Sequence, residues 1–136
     1  MSREIGELEP HVANLCRQFV EACERQGIVV IITSTYRSAE EQAALYAKGR
    51  TKPGNRVTNA RPGCSLHQYR VAFDFVPLIH GKAVWNNAEL FTKCGIIGEK
   101  LGLEWSGRFL TFRESAHFQY CGGLSLADFQ AGKKLA

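Results

Sequence analysis

A chain of 136 residues that is 45% hydrophobic and 22% charged has the make-up of an ordinary globular protein, long enough to bury roughly two-thirds of its unfolded surface around one core. We read it as a single domain over residues 1–136. No apolar run approaches the roughly 18 residues of a membrane span, and the N-terminus lacks the basic-then-apolar pattern of a secretory signal, so the expectations are no membrane insertion and a cytoplasmic location. The net charge of +4 suits an anionic partner, and composition does not separate a cell-wall polymer from nucleic acid.

In chain order, Pro10 falls in a first helical turn. Val12, Leu15, Cys16, Phe19, Val20 and Cys23 then recur at helical spacing up to a stop at Gly27. Ile28 to Ile32 reads as a buried strand. Ser38 with Glu41 three residues later forms a capping box for a second helix, whose apolar or small positions are Ala43, Ala44, Leu45 and Ala47 and which ends at Gly49. Arg37 therefore stands where strand hands over to helix. Lys48 to Arg56, with Arg61 beyond, is rich in turn formers and cations and reads as a solvated loop in preference to a polymer-binding rim.

Val71, Phe73 and Phe75 alternate with Ala72, Asp74 and Val76, which predicts a strand from about Val71 with its aromatics toward the core. Asn87 opens a third helix through Leu90, Phe91, Cys94, Ile97 and Leu101, stopped by Gly102, with Gly95 and Gly98 allowing close packing. Phe118 to Tyr120 reads as a short strand on which His117 and Gln119 share a face. Ser125 and Asp128 suggest a short C-terminal helix.

Four residues carry the chemistry. His67, Asp74 and His117 are two imidazoles and a carboxylate, a ligand set that leaves zinc's fourth position open, as catalytic zinc requires. Glu114, three residues before His117, is a carboxylate free to accept a proton from a bound water. His67 and Asp74 lie seven positions apart, so one unbroken strand would point them to opposite faces. The chain must bend between them, with His67 in the turn before the strand. Nothing matches the helical His-Glu-x-x-His pattern.

Five cysteines, an odd number, argue against a disulfide framework. Cys16, Cys23 and Cys94 fall on apolar helical stripes. Cys64 precedes His67 by three positions and Cys121 follows His117 by four, so a closed Cys/His zinc site is the competing structural reading. It would leave Asp74 and Glu114 without roles. His11 and His80 read as surface or satisfied core residues, and Trp105 and Tyr36 as core or wall aromatics.

Ser65-x-His67-x-x-x-x-Ala72-x-Asp74 followed by Glu114-x-x-His117 resembles the signature of the D-alanyl-D-alanine peptidase and hedgehog-like zinc peptidases. Tyr36-Arg37-Ser38 looks like that family's Tyr-Arg-Ser segment, and Leu103 to Phe109 is similar to its Trp-Gly-Gly-x-Trp stretch. The resemblance covers about residues 28–121. It implies an α+β fold, a small central antiparallel sheet flanked by helices, with zinc on His67, Asp74 and His117. It also implies Glu114 as general base, Arg37 binding substrate and stabilising the transition state, and Ser65 contacting substrate. The implied partner is peptidoglycan, with no nucleic acid, and the implied state a monomer.

Phage L-alanyl-D-glutamate endopeptidases look most similar, which implies an endolysin held in the cytoplasm until released to the wall. A D,D-carboxypeptidase and a non-catalytic zinc-binding domain stay open as alternatives. Departures from the pattern are Arg70 for a Gly, Ser106 and Phe109 for a Gly and a Trp, and Ala116 for Pro. Either the backbone at Arg70 is ordinary or Arg70 is strained.

Overall fold

The computed structural model describes residues 2–110 and 113–135. Its helices are α1 (Pro10–Arg25), α2 (Ala39–Ala47), α3 (Ala88–Lys100) and α4 (Leu126–Gln130). Its strands are β1 (Val29–Ser34), β2 (Ala72–Ile79), β3 (Lys82–Ala83), β4 (Glu104–Trp105) and β5 (His117–Gln119). They form one antiparallel sheet in the order β1-β2-β5-β4, with β3 paired to the far end of β2. The architecture is α+β, as expected. No helix among the described residues is long and apolar enough to cross a membrane.

Local chemistry accounts for the helix ends. Pro10 occupies the first turn of α1, where a missing N–H costs nothing, and Gly27 follows its end at φ 76°. The capping box at Ser38 and Glu41 is formed, Asn87 caps α3 through the Leu90 amide, and Ser125 with Asp128 caps α4. Gly95 and Gly98 are required by packing: a Cβ on the first would run into the Trp105 ring and on the second into Phe118.

The core is an aromatic cluster between α1 and the sheet. Phe19 meets Phe118 and Phe75 edge-on at 4.8 and 5.0 Å between centroids, and Phe75 stacks on Phe118 at 5.1 Å. Such pairs add about 0.5–1.5 kcal/mol each beyond the area they bury. Cys16, Cys23 and Cys94 are buried here, and burial pushes the Cys16 thiol up to about 12.

Two expectations are corrected. The strand expected to be buried over Ile28 to Ile32 is the sheet's edge, so it alternates: Val30 is buried while Val29 is 51% exposed. An apolar run does not distinguish an edge strand from a central one. In α2 the small residues Ala43 and Ala44 are exposed, and the buried residue is Gln42. A polar side chain wins that position because buried hydrogen-bond partners await it.

Candidate metal centre

Strand alternation delivers two of the ligands. Phe73 and Phe75 face the core, which turns Asp74 to the opposite face, and Phe118 in the core turns His117 the same way. Asp74 pairs directly with His117 on β5 and with Ser34 on β1. A register shift between Ile32 and Ser34 bends β1 at that point, so the chain leaves the sheet toward Arg37 beside the carboxylate.

The bend between His67 and Asp74 is a 3-10 turn over Leu66–Tyr69, capped by Ser65 and Gln68. It is closed by Arg70 at φ 65°, ψ 23°, the left-handed region. Of the two readings open at Arg70, the structure shows the strained one. The conformation is held from both sides. Arg70 donates to the Glu7 carbonyl at 2.7 Å, pairs with the Glu7 carboxylate at 2.8 Å, and lies over the Tyr36 ring at 3.9 Å.

His67, Asp74 and His117 present ligand atoms that all lie within 4.8 Å of one another. His67 Nε2 is 3.3 Å, and His117 Nδ1 3.0 Å, from the same oxygen, Asp74 Oδ1. The opposite nitrogen of each ring is engaged. His67 Nδ1 lies 2.8 Å from the Thr35 carbonyl and donates to it, and His117 Nε2 lies 3.2 Å from Gln119 Oε1. Both rings thus turn a lone pair to one point, each oriented by an outer partner as in metal-binding histidines. This donor set fits a divalent metal with an open position.

Protonated, the same two nitrogens instead donate to Asp74, and the electrostatics of the cluster describe that state. Burial disfavours the Asp74 anion, yet hydrogen bonds from His117 and His67 and their charges overcome it and hold the carboxyl below the usual carboxylate range. Burial also opposes charging of His117, but Asp74 prevails and raises it.

The triad opens into a cavity of about 500 Å³ that Arg37, Ser65 and Glu114 also line. The Glu114 amide donates to the Ser106 carbonyl at 3.3 Å. Arg37 donates to Gln42 Oε1 at 2.9 Å, and its second nitrogen lies 3.9 Å from Asp74. Burial lowers its pKa, opposed by the charges of Asp74 and Glu114. Ser65 lines the cavity while its hydroxyl accepts from the His67 amide. All six expected site residues therefore meet in one cleft.

No cysteine joins them. Cys64 is exposed and accepts from Gln130, Cys121 is buried, with burial pushing its thiol up to about 11, and the metal-competent group contains neither. The competing Cys/His site is not assembled. His11 packs edge-on against Tyr120, and His80 occupies the turn between β2 and β3 at φ 51°.

Three groups behind the site escaped the sequence reading of function: the Thr35 carbonyl, Gln119 and Gln42. Gln42 is fully buried, holds Arg37 through its oxygen, and donates to the Ala60 carbonyl at 2.7 Å. Only Gln119 left a signal, its shared strand face with His117.

The chain is similar to known proteins over nearly its whole length. It is 35% identical over 123 residues to the peptidoglycan L-alanyl-D-glutamate endopeptidase CwlK of Bacillus subtilis, covering 84% of this chain and 74% of that one. In fold it resembles the L-Ala D-Glu endopeptidase ChiX of Serratia marcescens, with TM-score 0.66 and 17% identity, over 93% of this chain and 86% of the other. It also resembles the Zn(II) complex of the vancomycin-resistance D,D-pentapeptidase VanY, with TM-score 0.64 and 17% identity, over 91% and 78%. Residues 6–122 match the family model described as VanY, D-alanyl-D-alanine carboxypeptidase, and the chain belongs to that family.

Proposed function

We propose that this protein is a zinc peptidase that hydrolyses the L-alanyl-D-glutamate bond of peptidoglycan stem peptides. The observation that carries the metal reading is the convergence of His67 Nε2 and His117 Nδ1 on Asp74, each ring oriented through its other nitrogen. The choice of bond is supported by the 35% identity to an endopeptidase of that specificity.

His67, Asp74 and His117 would hold the zinc, which when bound would supply Lewis acidity. Glu114, lining the same cleft, takes the proton of the attacking water as its oxygen adds to the scissile carbonyl carbon, and returns it to the amine as the C–N bond breaks. The Arg37 guanidinium, aimed by Gln42 and Ser34, faces the charge that develops on the carbonyl oxygen and the carboxyl group beyond the cut. Ser65 lines the wall beside it. An intact carboxylate next to the ligands favours an enzyme over a non-catalytic zinc-binding domain.

Release to the wall from the cytoplasm, as an endolysin acting as a monomer, completes the proposal and rests on the sequence motifs at Ser65 to Asp74 and Glu114 to His117 alone. The family's own description favours a second reading, a D,D-carboxypeptidase. Digestion of purified sacculi separates them. New glutamyl amino termini with falling turbidity are expected. Free D-alanine without new termini would move the assignment to carboxypeptidase.

A further inference from the structure

The cleft has two lobes that differ in charge. They share Val57, Asp74 and Glu114. The lobe of about 500 Å³ carries Arg37, Thr58 and Ser65. The lobe of about 380 Å³ is completed by Thr33, Trp85, Phe91, Ser115 and Ala116 and has no cation among its described lining residues. Its wall is an aromatic platform. Trp85 is 56% exposed and lies nearly parallel to Phe91, at 29° with centroids 6.5 Å apart, and Phe91 is buried in the core. The residues flanking Trp85 are tied down, the Val84 amide to the Pro77 carbonyl at 3.1 Å and the Asn87 amide to the Val84 carbonyl at 3.3 Å. Val57, 57% exposed, supplies a second apolar surface. Apolar area left in water beside a reactive centre is the mark of a ligand surface.

We infer that Trp85 forms a subsite for the N-acetylmuramyl ring that precedes the scissile bond. The inference rests on the proposed L-alanyl-D-glutamate specificity. In such a stem the L-alanine nitrogen is acylated by the lactyl group of the sugar, so everything on the amino side of the cut is uncharged. On the carboxyl side the D-glutamyl residue brings a carboxyl group. The lobe with Arg37 takes the acidic side and the lobe without a cation takes the neutral side, which fixes the direction in which the substrate lies.

Reach agrees with this direction. One residue spans at most about 3.6 Å, so a ring attached one residue and a lactyl group from the cut lies on the order of 7–10 Å away. Trp85 and Glu114 line one lobe. The C–H face of a pyranose is apolar and its rim is polar, which suits an indole face bordered by water.

The test uses the zinc-loaded protein and two probes, N-acetylmuramyl-L-alanine and N-acetyl-L-alanine. Trp105 is only 6% exposed against 56% for Trp85, so a ligand-induced change in tryptophan emission reports chiefly on Trp85. The muramyl probe is expected to shift that emission and to bind about tenfold more tightly than the sugar-free probe, the scale of one good apolar contact. In turnover, Trp85→Leu is expected to lower kcat/KM about tenfold on a muramyl-bearing stem and by roughly twofold at most on the sugar-free peptide, with Trp85→Phe between. Equal losses on both substrates, or no emission change with the muramyl probe, overturn the subsite while leaving the proposed bond intact. Failure of the unmodified enzyme to cut either substrate at that bond overturns the proposed specificity and the subsite with it.

Discussion

The floor of the cleft and its outer wall are built on different principles. The floor, β2 and β5 with the 3-10 turn before them, places its ligands by backbone pairing above four interlocked phenylalanines. The wall, the segment from Lys48 to Cys64, is tied in largely by side chains: Gln42 holds the Ala60 carbonyl, and Arg50 reaches the carbonyls of Tyr46 and Thr58. Strand pairing locates an atom to a fraction of an ångström and resists sequence change, whereas a wall hung on a few side chains accepts change readily. Under the proposed function the metal would sit on the first, while the second closes the side of the cleft at Val57, Thr58 and Ala60.

The sharpest test of this contrast removes a floor ligand. His67→Ala or His117→Ala is expected to drop zinc from about one per chain to below roughly a tenth, with activity lost, because three ligands are the minimum for such a site. Metal analysis of the purified variants decides it, and full occupancy in both would dismantle the ligand assignment.

Next in size is the base. Glu114→Gln keeps shape and hydrogen bonding, so zinc content should hold while kcat falls by about 10²-fold to 10⁴-fold. Turnover close to the unmodified enzyme would exclude Glu114 as the proton acceptor.

A change in the wall should act differently. Gln42→Ala frees Arg37 from its partner and the loop from its tether, so KM should rise by about tenfold with zinc retained, alongside a stability loss of about 1–3 kcal/mol for unpaired buried groups. Zinc loss in this variant would erase the division between floor and wall.

The smallest effect belongs to the bend. Arg70→Gly relieves a left-handed residue worth about 1–2 kcal/mol, and forfeits an exposed ion pair and a ring contact together worth about 1 kcal/mol. Urea unfolding should therefore shift by about 1 kcal/mol or less, and a loss above about 3 kcal/mol would make Arg70's contacts the chief support of the turn.

Much of this division could be read from the chain alone. α1, α3 and their caps announce themselves by period and end signals, because a single amphipathic face is a local property. The candidate ligands, which the fold brings together, could be picked out because few residue types bind metal. Strand β1 as an edge, the β2–β3 hairpin through His80 and Gly81, and the burial of Gln42 were not, since each depends on what a distant segment covers. The turn at His80 is closed by two consecutive residues with positive φ, and only the Gly advertises it. The Thr35 carbonyl beneath His67 was invisible in principle, because every residue has one.

That invisibility has an evolutionary side. His67 is oriented by a main-chain oxygen, which no point substitution deletes, whereas His117 leans on the amide of Gln119, which a single codon can alter. If zinc binds as proposed, exchanges at residue 119 would alter the partner of one imidazole only, leaving the Thr35 contact of His67 and the hydrophobic cluster under the strands in place.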